Sequence, residues 1–223
     1  MASRLSPLDD DALAPAARAL LPRLARRVFA PDFYLAGGAA LALHLGHRTA
    51  HGLDLMSATT RLAPADRRDL LHDLLALAPV TRVETARDGY LFVHLPGPVA
   101  LRFFWYPYPL VDPLAACAGF AVASAVDLGL MKLGALISRG TRRDFVELHL
   151  LCRELPLSEL LARSGEKFGH VGDFPLQAWK ALADLADAEE DPMPRLTVEL
   201  DWDEVRGWAL AEAARGGREA LAR

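Results

Sequence analysis

The sequence predicts an α/β (α+β) protein, a mixed sheet flanked by helices and followed by an α-helical C-terminal half. Three observations carry this expectation. A short apolar strand, Asp32 to Ala36, passes through Gly37-Gly38 directly into good helix formers, Ala39 to Leu45. Strand and turn signals then alternate from Val80 to Tyr106. Beyond Pro107, Pro109 and Pro113 the apolar pattern becomes helical and stays so for most of the remaining chain.

The first helix is expected over Ala14 to Phe29, where Leu20, Leu21, Leu24 and Val28 fall at helical spacing and Pro31 closes the segment. After the strand, glycine turn and helix, Gly52 to Met56 reads as a short strand whose one wet position is Asp54. Ala63 to Leu77 reads as a helix with Pro64 near its start and Leu70, Leu71, Leu74 and Leu75 as its buried stripe. The meander comprises Val80 to Thr85, the turn Arg87-Asp88-Gly89, Tyr90 to Leu95, the turn Pro96-Gly97-Pro98, and Val99 to Tyr106. Helices are expected over Ala125 to Arg139, Arg142 to Arg153, Leu157 to Ser164 and Leu176 to Ala188. A short strand, Arg195 to Leu200, and a terminal helix from Asp203 complete the reading. The change of period divides the chain into an α/β core, 1–110, and an α-helical region packed on it, 111–223.

Composition narrows the function classes. With 223 residues and 52% hydrophobic content the chain can bury a sizeable core. No run of about 18 apolar residues occurs, and Arg4, Asp9 and Asp10 interrupt any signal-peptide core, so a soluble, cytoplasmic protein without membrane partners is expected. Cys117 and Cys152 have no partner spacing, which excludes a disulfide framework and a zinc knuckle. The net charge of −4 gives no global attraction for nucleic acid, so an RNA partner would need a local basic patch.

Gly37-Gly38 between strand and helix has two readings. It lets a phosphate approach the positive helix end, or it simply makes a tight turn and lets strand and helix pack. Asp144 and Glu147, three apart on one helix beside Lys132, Arg139, Arg142 and Arg143, either contact a triphosphate or RNA backbone or form surface ion pairs. The aromatic run Phe103 to Tyr108 serves as a stacking platform or as core and rim. His47-Arg48 follows a helix and suits its C-terminal dipole, while His51 is a loop histidine unless a bulge at Gly52 turns it inward.

The order of these segments resembles the AbiEii/AbiGii type of nucleotidyltransferase toxin, a branch of the DNA polymerase β-like superfamily. The resemblance rests on Gly37-Gly38-Ala39-Ala40-Leu41, His47-Arg48 leading to Asp54, the strand ending in Trp105-Tyr106-Pro107, helical Lys132, and Arg143-Asp144-Phe145-Val146-Glu147-Leu148. It spans about Phe33 to Leu151. It implies a nucleotidyltransferase-type mixed sheet and transfer of a nucleoside monophosphate from a nucleoside triphosphate, with Mg²⁺ held by three strand carboxylates. It also implies an RNA acceptor, including tRNA, and a cognate antitoxin protein.

Three positions depart from that pattern. The family Ser or Thr is Ala39, the first Asp of the Asp-x-Asp pair is Gly52, and the Asp of the later strand is Arg102. Strand parity puts Gly52 with Asp54, and Ala100 with Arg102 and Phe104. If Arg102 reaches Asp54, an ion pair stands in place of a metal cluster, and Mg²⁺ affinity should collapse because a guanidinium accepts nothing. By resemblance the catalytic candidates are Asp54, Lys132 and Asp144. The nucleotide- and phosphate-binding candidates are Gly37, Gly38, Arg48, Arg102, Lys132, Arg139 and Arg143, and Asp54 is the one remaining metal ligand. Three functions are therefore expected in order. The first is a degenerate pseudoenzyme that binds a nucleotide or RNA with little or no transfer. The second is an active toxin that modifies RNA or protein, and the third is a non-catalytic structural or regulatory partner.

Overall fold

A computed structural model of the protein describes residues 8–80, 82–97 and 99–221. Thr81 in the expected meander, Pro98 in its turn, and the ends 1–7 and 222–223 of the two expected regions lie outside the described residues. Contacts divide the chain into one unit over Pro7–Ser124 and a second that contains Ala125–Arg223.

In the first unit, helix α1 (Pro15–Leu24) starts on a proline, whose missing N–H is no loss at a helix N-terminus. It ends four residues before Val28, because Asp73 accepts the Val28 N–H at 3.1 Å and pairs with Arg27, which holds the chain in a turn. Val28, expected in the buried stripe, is accordingly exposed. Strand β1 (Tyr34–Ala36) runs straight into α2 (Gly37–Leu45), and β2 (Gly52–Ser57) returns antiparallel to β1. Helix α3 (Pro64–Leu75) opens with Asp66 Oδ2 accepting the Ala63 N–H at 3.0 Å, which satisfies one orphan donor of its first turn. Leu70 and Leu74 are its buried residues, whereas Leu75 faces solvent.

The meander consists of β3 (Arg82–Arg87), β4 (Tyr90–Leu95) and β5 (Val99–Trp105), with the Asp88-Gly89 turn as expected. Two further strands, β6 (Ala115–Cys117) and β7 (Phe120–Val122), form a hairpin in the stretch that the prolines were expected to break. Among the described residues the seven strands make one sheet in the order β3-β4-β5-β2-β1-β7-β6. It is mixed: β2 runs parallel to β5 and β1 parallel to β7, while the other neighbours are antiparallel. The sheet thus continues past the boundary expected at 110.

Alternation gives this sheet two unlike faces. Leu53, Leu55, Leu91, Val93, Leu101 and Phe103 on β2, β4 and β5 are wholly buried, and Phe103 packs edge-on against Phe29 and Phe33 at ring separations of 5.6 and 5.4 Å. The intervening residues, from Asp54 and Arg102 to Phe92 and Phe104, are only half-buried.

The second unit is helical: α4 (Ala125–Ser138), α5 (Arg142–Cys152), α6 (Leu157–Phe168), α7 (Phe174–Ala183), α8 (Ala186–Glu190) and α9 (Trp202–Leu221). The helix expected over Leu176 to Ala188 is two helices, parted where Asp184 turns extended. Arg195 to Leu200, expected as a strand, is irregular. Inside this unit Lys167 donates to Asp127 at 2.8 Å with both side chains fully buried, an ion pair tying α6 to α4. No helix among the described residues is long and apolar enough to cross a membrane.

Candidate functional site

The candidate residues fall into two groups, one in each unit. The first forms where β1, β2 and β5 lie side by side. Gly52 is paired with Ala100 and Asp54 with Arg102 in an unbroken parallel register, so no bulge turns His51 inward and that histidine stays exposed before the strand. Because directly opposite residues on adjacent strands project to the same face, Arg102 Nη1 donates to Asp54 Oδ1 at 2.8 Å. The guanidinium also lies over the Phe92 ring, with Cζ 5.0 Å from its centroid. Asp54 on one side and Phe92 on the other therefore fix its position.

The other oxygen of Asp54 faces the glycine turn. Gly37 has φ 59°, and a Cβ built there would lie 2.5 Å from Asp54 Oδ2. Only glycine combines that left-handed backbone with so close an approach. Gly37→Ala is expected to cost about 1–3 kcal/mol in urea unfolding, from strained backbone and displaced carboxylate together. Adding Asp54→Ala should recover the part due to contact, and an unchanged cost in the double variant would refute the close approach.

Gly52 likewise leaves room. A Cβ there would sit 3.6 Å from Arg102 Nη1 and 3.1 Å from the Ala100 carbonyl oxygen. The donor set does not suit Mg²⁺. Of the three positions to which the resemblance assigns carboxylates, Gly52 offers no ligand, Arg102 offers only donors, and Asp54 already accepts from Arg102. Among the described residues no group of three or more His, Cys, Asp or Glu is placed to hold a metal. Gly38 is buried within the first turn of α2. Arg48 is buried beyond the end of α2, where its guanidinium donates to the Thr49 carbonyl at 3.5 Å.

The second group belongs to α4 and α5. Thr141 caps α5, its hydroxyl accepting the Asp144 N–H at 3.4 Å and donating to Asp144 Oδ2 at 2.6 Å. Asp144 also accepts from Lys132 Nζ at 2.8 Å and from Arg139 at 2.8 and 3.0 Å. Glu147 pairs with Lys132 at 2.5 Å and with Arg143 at 3.0 Å. Lys132, Asp144 and Glu147 are buried, so these are not the surface pairs that their spacing allowed. Arg139 and Arg143, with side chains 61% and 50% exposed, are the members that face water. Thr141 is not among the residues expected from the sequence, although a threonine three residues before an acid at a helix start is a capping signal.

Burial alone would raise the Asp144 carboxyl. The Arg139 hydrogen bond, the Lys132 charge and the hydrogen bonds from Lys132 and Thr141 outweigh it and hold the group well below the usual carboxylate range. A depressed folded-state pKa contributes stability that is present above the unfolded value, about 3.9, and is lost as pH falls below it. The unfolding free-energy gap between wild type and Asp144→Asn should therefore shrink below about pH 4 in urea titrations. A gap that stays constant down to acid would contradict the assignment.

A mixed sheet bearing the strand, glycine turn and helix, followed by a helical half, is a nucleotidyltransferase-like fold. It aligns with a protein from H. pylori whose crystal structure carries a provisional nucleotidyltransferase assignment, at TM-score 0.54 and 17% identity over 91% of this chain and 92% of that one. JHP933 from Helicobacter pylori aligns at TM-score 0.52 and 16% identity, over 91% and 89% of the respective chains. No family model matches the sequence. The chain belongs to the same family as an uncharacterized protein of Aquifex aeolicus (strain VF5), aq_aa25, to which it is 31% identical over 178 residues, 78% of this chain and 82% of the relative.

Proposed function

We propose that the protein is a degenerate nucleotidyltransferase of the AbiEii toxin type, which binds a nucleotide or RNA and performs little or no metal-dependent transfer of a nucleoside monophosphate. The observation that carries this reading is the 2.8 Å ion pair between Arg102 and Asp54. Relative to the three-carboxylate pattern, the site has lost two negative charges and gained a positive one. A divalent cation is disfavoured there, while phosphate is favoured by the fixed guanidinium beside the N-terminus of α2. Arg102 supplies the charge that a metal would, and Gly37 and Gly38 let a phosphate approach the backbone. In the helical unit, taken by itself, exposed Arg139 and Arg143 present positive charge that suits a phosphate, with Lys132, Asp144 and Glu147 as their buried foundation. An antitoxin partner is supported by the resemblance alone.

The test is incubation of the pure protein with each labelled nucleoside triphosphate, Mg²⁺ or Mn²⁺, and total RNA. The reading expects no label transfer that depends on Asp54. Metal-dependent transfer abolished by Asp54→Ala would show an active nucleotidyltransferase instead.

A further inference from the structure

We infer that the half-buried face of the sheet is a stacking surface for single-stranded nucleic acid. This extends the proposed binding function by naming a polymer as the ligand and a second set of residues as its platform.

The register lays out that face as a grid. Across β5, β4 and β3, Arg102 stands opposite Phe92, which stands opposite Thr85; one step along, Phe104 stands opposite Tyr90, which stands opposite Arg87. His94 continues the line on β4. The rings touch in sequence: His94 to Phe92 at 4.7 Å, Phe92 to Tyr90 at 6.5 Å, and Tyr90 to Phe104 at 4.9 Å between centroids. All four are half-buried, while on β4 and β5 the opposite face, from Leu91, Val93 and Leu95 to Val99, Leu101 and Phe103, is buried. The core is therefore built on that other face, and these rings are left partly in water.

Charge on this face is distributed among the rings. Arg102 lies over Phe92, and exposed Arg87 lies over Tyr90 with Cζ 5.4 Å from its centroid. Arg82 and His94 both engage Glu84, and Arg102 engages Asp54, so the carboxylates near the grid already face cations. Arg87 is engaged with a ring and leaves its positive charge for an incoming anion. Aromatic faces and guanidinium planes interleaved along several residues suit a strand whose bases are unpaired and whose phosphates run alongside. A duplex hides its base faces and has no use for such a row.

The probe is a short fluorescein-labelled oligouridylate, titrated with the full chain and followed by anisotropy, beside a hairpin duplex of equal length. The expected result is single-strand binding at least about tenfold tighter than duplex binding. Phe104→Leu and Tyr90→Leu, which keep apolar volume and are checked by thermal melting, should each weaken it about tenfold. Arg87→Ala should lower the slope of log affinity against log salt by about one. Equal affinity for duplex and single strand, or leucine variants that bind like wild type, would overturn the inference. Triphosphate binding without any oligonucleotide binding would overturn it while leaving the proposed function standing. Asp54-dependent label transfer accompanied by the expected single-strand binding would do the reverse.

Discussion

Lys132→Met is expected to lower the unfolding free energy by about 3 kcal/mol, one of the largest single-residue effects available in the helical unit. The lysine is buried between two carboxylates that are themselves buried, Asp144 at 2.8 Å and Glu147 at 2.5 Å. Methionine fills the stem volume but leaves two acids with one cation fewer. Arg139 and Thr141 still hold Asp144, and Arg143 still holds Glu147, which keeps the loss at the lower end for a broken buried pair. The same logic predicts partial recovery in the triple variant Lys132→Met, Asp144→Asn, Glu147→Gln, because neutral groups leave no uncompensated charge. Urea unfolding of both variants checks this, and a triple variant less stable than the single one would contradict the charge-balance account.

Placing acids at two positions of the sheet unit should have an equally large effect on metal affinity. In Gly52→Asp with Arg102→Asp, two carboxylates join Asp54 on one face of β2 and β5, directly across the register that now pairs Asp54 with Arg102. A Cβ at position 52 would meet the Ala100 carbonyl oxygen at 3.1 Å and Ala100 Cβ at 3.3 Å, so β5 must give way slightly at Ala100 to admit the new side chain, and thermal melting checks that the double variant is folded. Affinity for an oxygen-seeking divalent cation rises with the charge and number of its ligands, and Mn²⁺ should bind the double variant at least about a hundredfold more tightly than wild type. Calorimetry with Mn²⁺ measures this directly. Equal affinity in the two proteins would mean that Gly52 and Arg102 do not stand at ligand positions.

The pairing of Asp54 with Arg102 was legible in the sequence because strand parity is rigid: once both segments are strands, alternate residues share a face, and only the register had to be supplied by the fold. The cluster around Asp144 was less legible. The spacing of Arg143, Asp144 and Glu147 gave their helix, but that Lys132 lies buried between the acids depends on how α4 packs on α5. Strands β6 and β7 carry no sequence signal for a different reason. Each is three residues long, they are joined through Ala118 and Gly119 with φ of 47° and 81°, and neither Ala115-Ala116-Cys117 nor Phe120-Ala121-Val122 is long enough to show a period. Arg195 to Leu200 shows the opposite case, its β-formers standing between Pro194 and Asp201 in irregular chain. Val28 fits the helical pattern of its neighbours, yet Asp73, more than forty residues away, ends that turn earlier.

The proposed function requires that a guanidinium take the place of a metal beside Asp54. Calorimetric titration of a nucleoside triphosphate into the full chain, once with Mg²⁺ and once with chelator, tests it most directly. Binding of equal affinity in the two buffers is expected, with its loss in Arg102→Ala, and thermal melting confirms that the variant is folded. Binding that appears only with Mg²⁺, or that survives Arg102→Ala unchanged, would contradict it.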